Sequence, residues 1–204
     1  MQRALVNDDE VALVDDISRR LATEQAVRTL IAAAGDDPSR EGLLDTPARV
    51  ARAYAEWFAG YRIDPARLLQ RTFAAADYRE LVLLRSIPVR SICEHHMAPI
   101  TGVAHVGYLP AGRVVGISKL ARVVDAYARR LQLQERLTSQ IGQTIDEVLK
   151  PRGVGVIIEA HHGCMASRGV NQNGISLVTQ CWLGAFETDA ELRRDFTQSV
   201  QRGI

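Results

Sequence analysis

The sequence predicts an α+β protein: a four-stranded antiparallel sheet carrying two central helices and preceded by a helical N-terminal segment. Three observations predict it. Apolar, β-branched runs occur in two pairs, two segments of helical spacing separate the pairs, and turn residues punctuate nearly every junction. An order of helices, two strands, two helices, two strands and a helix suits a sheet whose helices cover one face.

From Glu10 to Ala34 the apolar residues Val11, Val14, Ile17, Leu21, Val27 and Leu30 recur at helical spacing, and Gly35-Asp-Asp-Pro marks a stop. A second helix begins at Asp45-Thr46-Pro47, where Thr46 can cap and Pro47 takes the first helical position, and it runs to Gly60. Leu81–Ile92 and Gly102–Leu109 read as neighbouring strands with a Pro110-Ala-Gly turn behind them. Ser118–Arg130 and Glu135–Leu149 are the two central helices, ended by Lys150-Pro-Arg-Gly. Val154–His162 and Ile175–Phe186 return to strand, and Thr188 to about Val200 forms a polar C-terminal helix. The expected division is a helical segment over residues 1–75 and a sheet-bearing domain over 76–204. Such a sheet has open edges, which suits association between subunits.

Composition narrows the function. At 204 residues, 47% hydrophobic and 24% charged, the chain has the profile of a soluble globular protein. Lys and Arg total 25 against 24 for Asp and Glu, so no broad basic surface exists for nucleic acid or membranes, and an anionic partner must be held locally. The opening MQRALVNDDEVALVDD lacks a long apolar h-region and no run has the length of a membrane span, which reads as cytoplasmic. Cys93, Cys164 and Cys181 are odd in number and far apart, which argues for reduced thiols rather than a disulfide framework.

Two tight clusters carry the chemistry: Cys93-Glu94-His95-His96 and His161-His162-Gly163-Cys164. Cys93 and His96 have the C-x-x-H spacing that lets one turn present two ligands to one ion, and Cys164 can close the site from another strand. Three protein ligands favour a catalytic over a structural zinc, because a position remains for water, whose pKa the metal lowers. If the strand from Val154 persists to Cys164, its period of two puts His162 on the ligand side and turns His161 away. His162 is then the better acid or base, and His95, beside a ligand, can also move protons. Singly, each of these residues reads as a core or surface side chain.

Basic residues form the next group. Ser118, Lys119 and Arg122 open a central helix and Arg168 follows the second cluster, a combination suited to phosphate, although Lys and Arg on helices are usually solvated. Glu135, in Gln134-Glu135-Arg136 at the next helix start, serves equally as a dipole partner or as an acceptor for a ligand's N–H groups. Cys181, beside Trp182 in an apolar strand, reads as packing.

DTPARV at 45–50, CEHH at 93–96, GISKLAR at 116–122, QERLT at 134–138 and H-x-C-M-x-x-RG at 162–169 together resemble the GTP cyclohydrolase I family, in the family's order, from about residue 20 to 200. The resemblance implies Zn2+ on Cys93, His96 and Cys164, with His95 and His162 transferring protons around the imidazole ring of GTP. It places Glu135 on the guanine edge with Gln134 nearby, Lys119, Arg122 and Arg168 on the triphosphate, and Ser118 near phosphate and ribose. Arg49 would reach a triphosphate from a neighbouring subunit. The implied reaction is attack of activated water on C8, ring opening, loss of formate, rearrangement of the ribose and closure to dihydroneopterin triphosphate. The implied fold is the tunnelling fold, in which sheets of several subunits join into a barrel and two rings stack as a homodecamer.

Two features depart from the family pattern: Gly163 where a larger side chain is common, and ISLVTQCW after Arg168. They leave room for a paralogue in a specialised pathway. Two further alternatives are a fold relative with a cysteine nucleophile and a non-catalytic scaffold stabilised by zinc, which would need four protein ligands.

Overall fold

The computed structural model describes residues 8–201, with side chains from residue 16 onward. The first seven residues, and the side chains of Val11 and Val14, lie outside the described residues. The chain divides into two compact units, one up to Glu56 and one from Trp57.

The first unit holds α1 (Asp8–Ala33) and most of α2 (Thr46–Trp57). Within the predicted stripe of α1, Val27 is buried, whereas Ile17, Leu21 and Leu30 are 43%, 55% and 67% exposed. Helix α1 stops where expected: Gly35 takes φ 91°, and Arg40 closes the following turn on Asp36 at 2.7 Å. At α2 the start shifts by one residue. The Arg49 N–H donates to the Asp45 carbonyl at 3.0 Å, so Asp45 takes the capping place expected of Thr46 and Thr46 is already helical. The helix also ends at Trp57 rather than Gly60, where a 3₁₀ turn over Ala59–Arg62 begins. There the Gly60 N–H leaves the helical ladder and donates to the Arg129 carbonyl at 3.2 Å.

The second unit runs α3 (Pro65–Leu69), β1 (Thr72–Ala74), β2 (Val82–Cys93), β3 (Pro99–Leu109), β4 (Arg113–Val115), α4 (Ile117–Ala128), β5 (Leu131–Gln132) and α5 (Gln134–Leu149). It continues with β6 (Gly153–His162), α6 (Gly163–Ala166), β7 (Leu177–Gly184), α7 (Ala185–Thr188) and α8 (Ala190–Gln201). The architecture is α+β. The main sheet has the order β5-β2-β3-β6-β7, its four long strands mutually antiparallel. The fifth strand was not predicted: β5 is two residues long and runs parallel to the end of β2, pairing Ile92 with Leu131 and Cys93 with Gln132. Strands β2 and β3 form the expected hairpin, with a register shift between Leu84 and Ile87 where Ser86 takes φ 56°. The ribbon of β1 and β4 is separate.

Helices α4 and α5 lie on the face that buries Ala104, Val106 and Tyr108 of β3 and Val154, Val156 and Ile158 of β6. They contribute Leu120, Val123 and Val124, and Leu137, Ile141 and Ile145, all fully buried at helical spacing. Each such side chain contributes about 1.5–3 kcal/mol of transfer free energy. The prediction that helices cover one face holds for this pair but not for α8. Phe196 of α8 packs on the opposite face with Leu109, Ile157 and Phe186. The reason lies in two facing glycines: a Cβ at Gly107 or Gly155 would stand 2.8 or 2.9 Å from the Phe196 ring. Their bare backbone is the seat that admits the ring.

This topology gathers the end of β2, the strand β5, the start of α5 and the end of β6 at one end of the sheet, since Cys93 pairs with Gln132 and Ile100 with His162.

A candidate metal and acid–base site

The chain leaves β2 through a closed turn. The Cys93 N–H donates to Ala98 O and the Met97 N–H returns to Cys93 O, both at 2.8 Å, with Met97 at φ 52°. That reversal brings His96 back over Cys93. The turn is pinned from β5 and α5: the Glu94 N–H donates to Gln132 O at 3.1 Å, and Arg136 joins the Glu94 carboxylate, Leu131 O at 3.0 Å and Gln132 Oε1 at 3.1 Å.

At the other side β6 ends at His162, and Cys164 lies in the helical turn α6, not on a continuing strand. The expectation of a strand persisting to Cys164 is therefore corrected. The turn closes through Ser167, whose N–H and hydroxyl both donate to Gly163 O, at 3.0 and 2.6 Å. Gly163 packs on Pro99, where a Cβ would meet ring and carbonyl atoms at 3.1 Å, so this close contact suits a residue without a side chain. The helical turn, rather than strand alternation, swings Cys164 toward Cys93.

The result is a cluster in which ligand atoms of Cys93, His96 and Cys164 all lie within 4.8 Å of one another, the one such group among the described residues. Cys93 is buried; His96 is exposed. Burial, followed by a hydrogen bond with Cys93, pushes the Cys164 thiol above its ordinary pKa. Two thiols so close resist joint ionisation, and a bound divalent cation is what relieves that repulsion; two sulfurs and an imidazole are donors suited to zinc. The residues present fit such an ion.

His162 faces the buried start of α5. Its Nε2 is 2.8 Å from Gln134 Oε1, and burial lowers its pKa against an opposing pull from Glu135. His161 is exposed, with Nδ1 2.9 Å from Ile175 O. A cleft of about 210 Å³ is lined in part by Pro99, Thr101, His161 and His162.

The family model described as GTP cyclohydrolase I matches residues 23–201. The chain belongs to the GTP cyclohydrolase I family. GTP cyclohydrolase 1 of Maricaulis maris (strain MCS10) is 50% identical over 192 residues, covering 94% of each chain. That of Allorhizobium ampelinum (strain ATCC BAA-846 / DSM 112012 / S4) is 52% identical, covering 89% of this chain and 91% of its own. That of Hyphomonas neptunium (strain ATCC 15444) is 55% identical, covering 85% and 84%.

The other residues singled out in this GTP cyclohydrolase I family member stand as follows. His95 is exposed beside His96, ring centroids 6.2 Å apart. Arg168 donates from Nη1 to His96 Nε2 at 2.7 Å, joining the cluster. Glu135 is exposed in the first turn of α5, and its charge reaches His162. Ser118 and Arg122 are exposed and Lys119 half-buried at the start of α4, with no hydrogen bond to the Cys/His cluster. Arg49, in the first unit, is exposed and paired with Asp45 at 3.2 Å. Gln134, expected near the guanine, is only 1% exposed. Sequence reasoning missed the part of Glu94, Gln132 and Arg136 in holding the ligand turn, because Glu94 lies about forty residues from the other two and only the fold brings them together. No helix among the described residues is long and apolar enough to cross a membrane.

Proposed function

We propose that this chain opens the imidazole ring of the guanine in GTP by hydrolysis, giving 7,8-dihydroneopterin triphosphate and formate, with Zn2+ on Cys93, His96 and Cys164. The observation that carries the reading is the convergence of those three donors beside His162 in a chain of the GTP cyclohydrolase I family. A zinc ion held by three protein donors supplies a Lewis acid with a coordination position open to water.

The chain's own residues do the rest. His162, half-buried against Gln134, and His95, exposed beside a ligand, give and take protons at the imidazole ring of the base. Glu135 accepts from N–H groups of the guanine edge. Lys119, Arg122 and Arg168, with Ser118, hold the triphosphate, which otherwise has no broad basic surface to bind in a chain of net charge +1. Orientation of the ring over the proton-moving groups is the main rate contribution of these contacts.

The active species is a homo-oligomer, a decamer of the tunnelling-fold type, with Arg49 supplied to the triphosphate by a neighbouring copy. Support comes from the 210 Å³ cleft beside His162, below the roughly 300–1,000 Å³ of small-molecule sites. Leu177 and Val178, 38% and 50% exposed on the edge strand β7, and the exposed apolar residues of α1 supply surface for association. The enzyme works in the cytoplasm, where its three free thiols stay reduced.

The test is to incubate zinc-loaded protein with GTP and assay formate and, after oxidation, fluorescent neopterin. Both products are expected from the wild type and neither from His162→Ala; folded, metal-loaded protein yielding no formate would overturn the reading.

A further inference from the structure

Gln134 lies at the first position of α5 with its side chain enclosed, 1% exposed. Its Nε2 is within hydrogen-bond distance of Ile158 O at 3.1 Å, Leu177 O at 2.9 Å and Thr179 Oγ1 at 3.1 Å. Two of those three atoms are carbonyl oxygens, which only accept, so the amide nitrogen must face them. The hydroxyl direction agrees. Thr138 donates its proton to Gln134 O at 2.7 Å, so in its 2.6 Å contact with Thr179 it accepts. The Thr179 oxygen is then left with lone pairs for the amide.

This orientation leaves Gln134 Oε1 facing His162 Nε2 at 2.8 Å. An amide oxygen cannot donate, so the proton of this hydrogen bond belongs to the imidazole. The side chain also reaches the carbonyls of both β6 and β7, so turning toward a substrate would break its hydrogen bonds to Ile158 O, which is buried, and to Leu177 O, which is partly buried.

We propose that Gln134 is a positioning residue, not a substrate contact: it fixes His162 as the Nε2–H tautomer with its ring plane set, so that Nδ1 is the atom through which His162 exchanges protons. The inference rests on the part given to His162 in the proposed function. It replaces the expectation that Gln134 binds substrate beside Glu135. Thr179 accepts from the orienting amide and Thr138 holds the Thr179 hydroxyl in turn, a second layer behind an imidazole of the kind that fixes its tautomer.

The first arm of the test is neutron diffraction from crystals of the metal-loaded wild type in heavy water at about pH 8, above the ordinary histidine range. A deuteron on Nε2 of His162 and none on Nδ1 is expected; a deuteron on Nδ1 overturns the proposal. The second arm is kinetic. Gln134→Leu should lower kcat about a hundredfold, the scale of a general acid–base contribution, with KM for GTP and metal content unchanged. A raised KM with kcat intact would make Gln134 a substrate contact and overturn the proposal. The deuteron position decides the tautomer even if the variant does not fold. It also separates the two readings, since wild type that fails to turn over GTP sinks the proposed reaction without moving the deuteron.

Discussion

The guanidinium of Arg168 donates to Nε2 of His96 at 2.7 Å, a contact that joins two turns 72 residues apart in the chain. It puts a permanent positive charge at the edge of the candidate metal site. Replacing the guanidinium removes charge-assisted hydrogen bonds worth about 1.5–3 kcal/mol each. With Arg168 on the triphosphate, as proposed, Arg168→Ala should raise KM for GTP by about 10- to 100-fold, with metal content retained. Steady-state kinetics beside metal analysis checks this, and an unchanged KM would remove Arg168 from the triphosphate.

Cys164 sits on a helical turn and not on a strand, so its sulfur reaches the site without the strand pairing of β6. Cys164→Ala leaves two protein donors. Metal retained after dialysis should fall at least about tenfold, while the far-ultraviolet circular dichroism stays that of the wild type. In the intact protein, alkylation of Cys93 and Cys164 should be slow until a chelator is added; immediate alkylation would instead favour a free cysteine nucleophile.

The aromatic group on the back of the sheet is a separate stability element. Phe196 meets Trp182 and Phe186 edge to face, with centroids 5.2 and 5.7 Å apart, over Gly107 and Gly155. Phe196→Ala empties a fully buried ring and should cost about 3–5 kcal/mol, read as a lowered midpoint in urea unfolding. A shift below about 1 kcal/mol would mean that α8 contributes little to the fold.

His105, 7% exposed on β3, accepts a long hydrogen bond from the Ser86 N–H at 3.4 Å. Burial, aided by the charge of Arg85 and opposed by Glu159, lowers its pKa. A lowered folded-state pKa means that the unfolded chain binds the proton more readily. The stability this group supplies is thus complete above the ordinary histidine pKa of about 6.5 and is lost as pH falls below it. His105→Gln, which keeps an acceptor for Ser86, should flatten the fall in urea midpoint between about pH 7 and pH 5. Equal slopes in the two proteins would show that other groups govern acid sensitivity.

Most of the element boundaries were legible because they are set by near neighbours. The helical spacing of Leu120, Val123 and Val124 and the Lys150 stop at φ 46° are short-range features. Strand β5 was not legible: two residues carry no periodicity, and only their pairing with Ile92 and Cys93 makes them a strand. The capping shift from Thr46 to Asp45 shows the usual uncertainty of one position at a helix end.

The sequence by itself determined the chemistry on offer: which donors stand three apart at Cys93 and His96, which imidazoles accompany them, and which cations could meet a triphosphate. Spacing within one turn is enough for that, because C-x-x-H brings its two ends together wherever the turn lies. Tertiary structure alone decided that Gln134 faces His162, that Arg136 holds Glu94, and that α8 crosses to the other face. Each of those outcomes depends on atoms dozens of residues apart competing for one hydrogen bond or one gap over glycine, and only the packed sheet sets those distances.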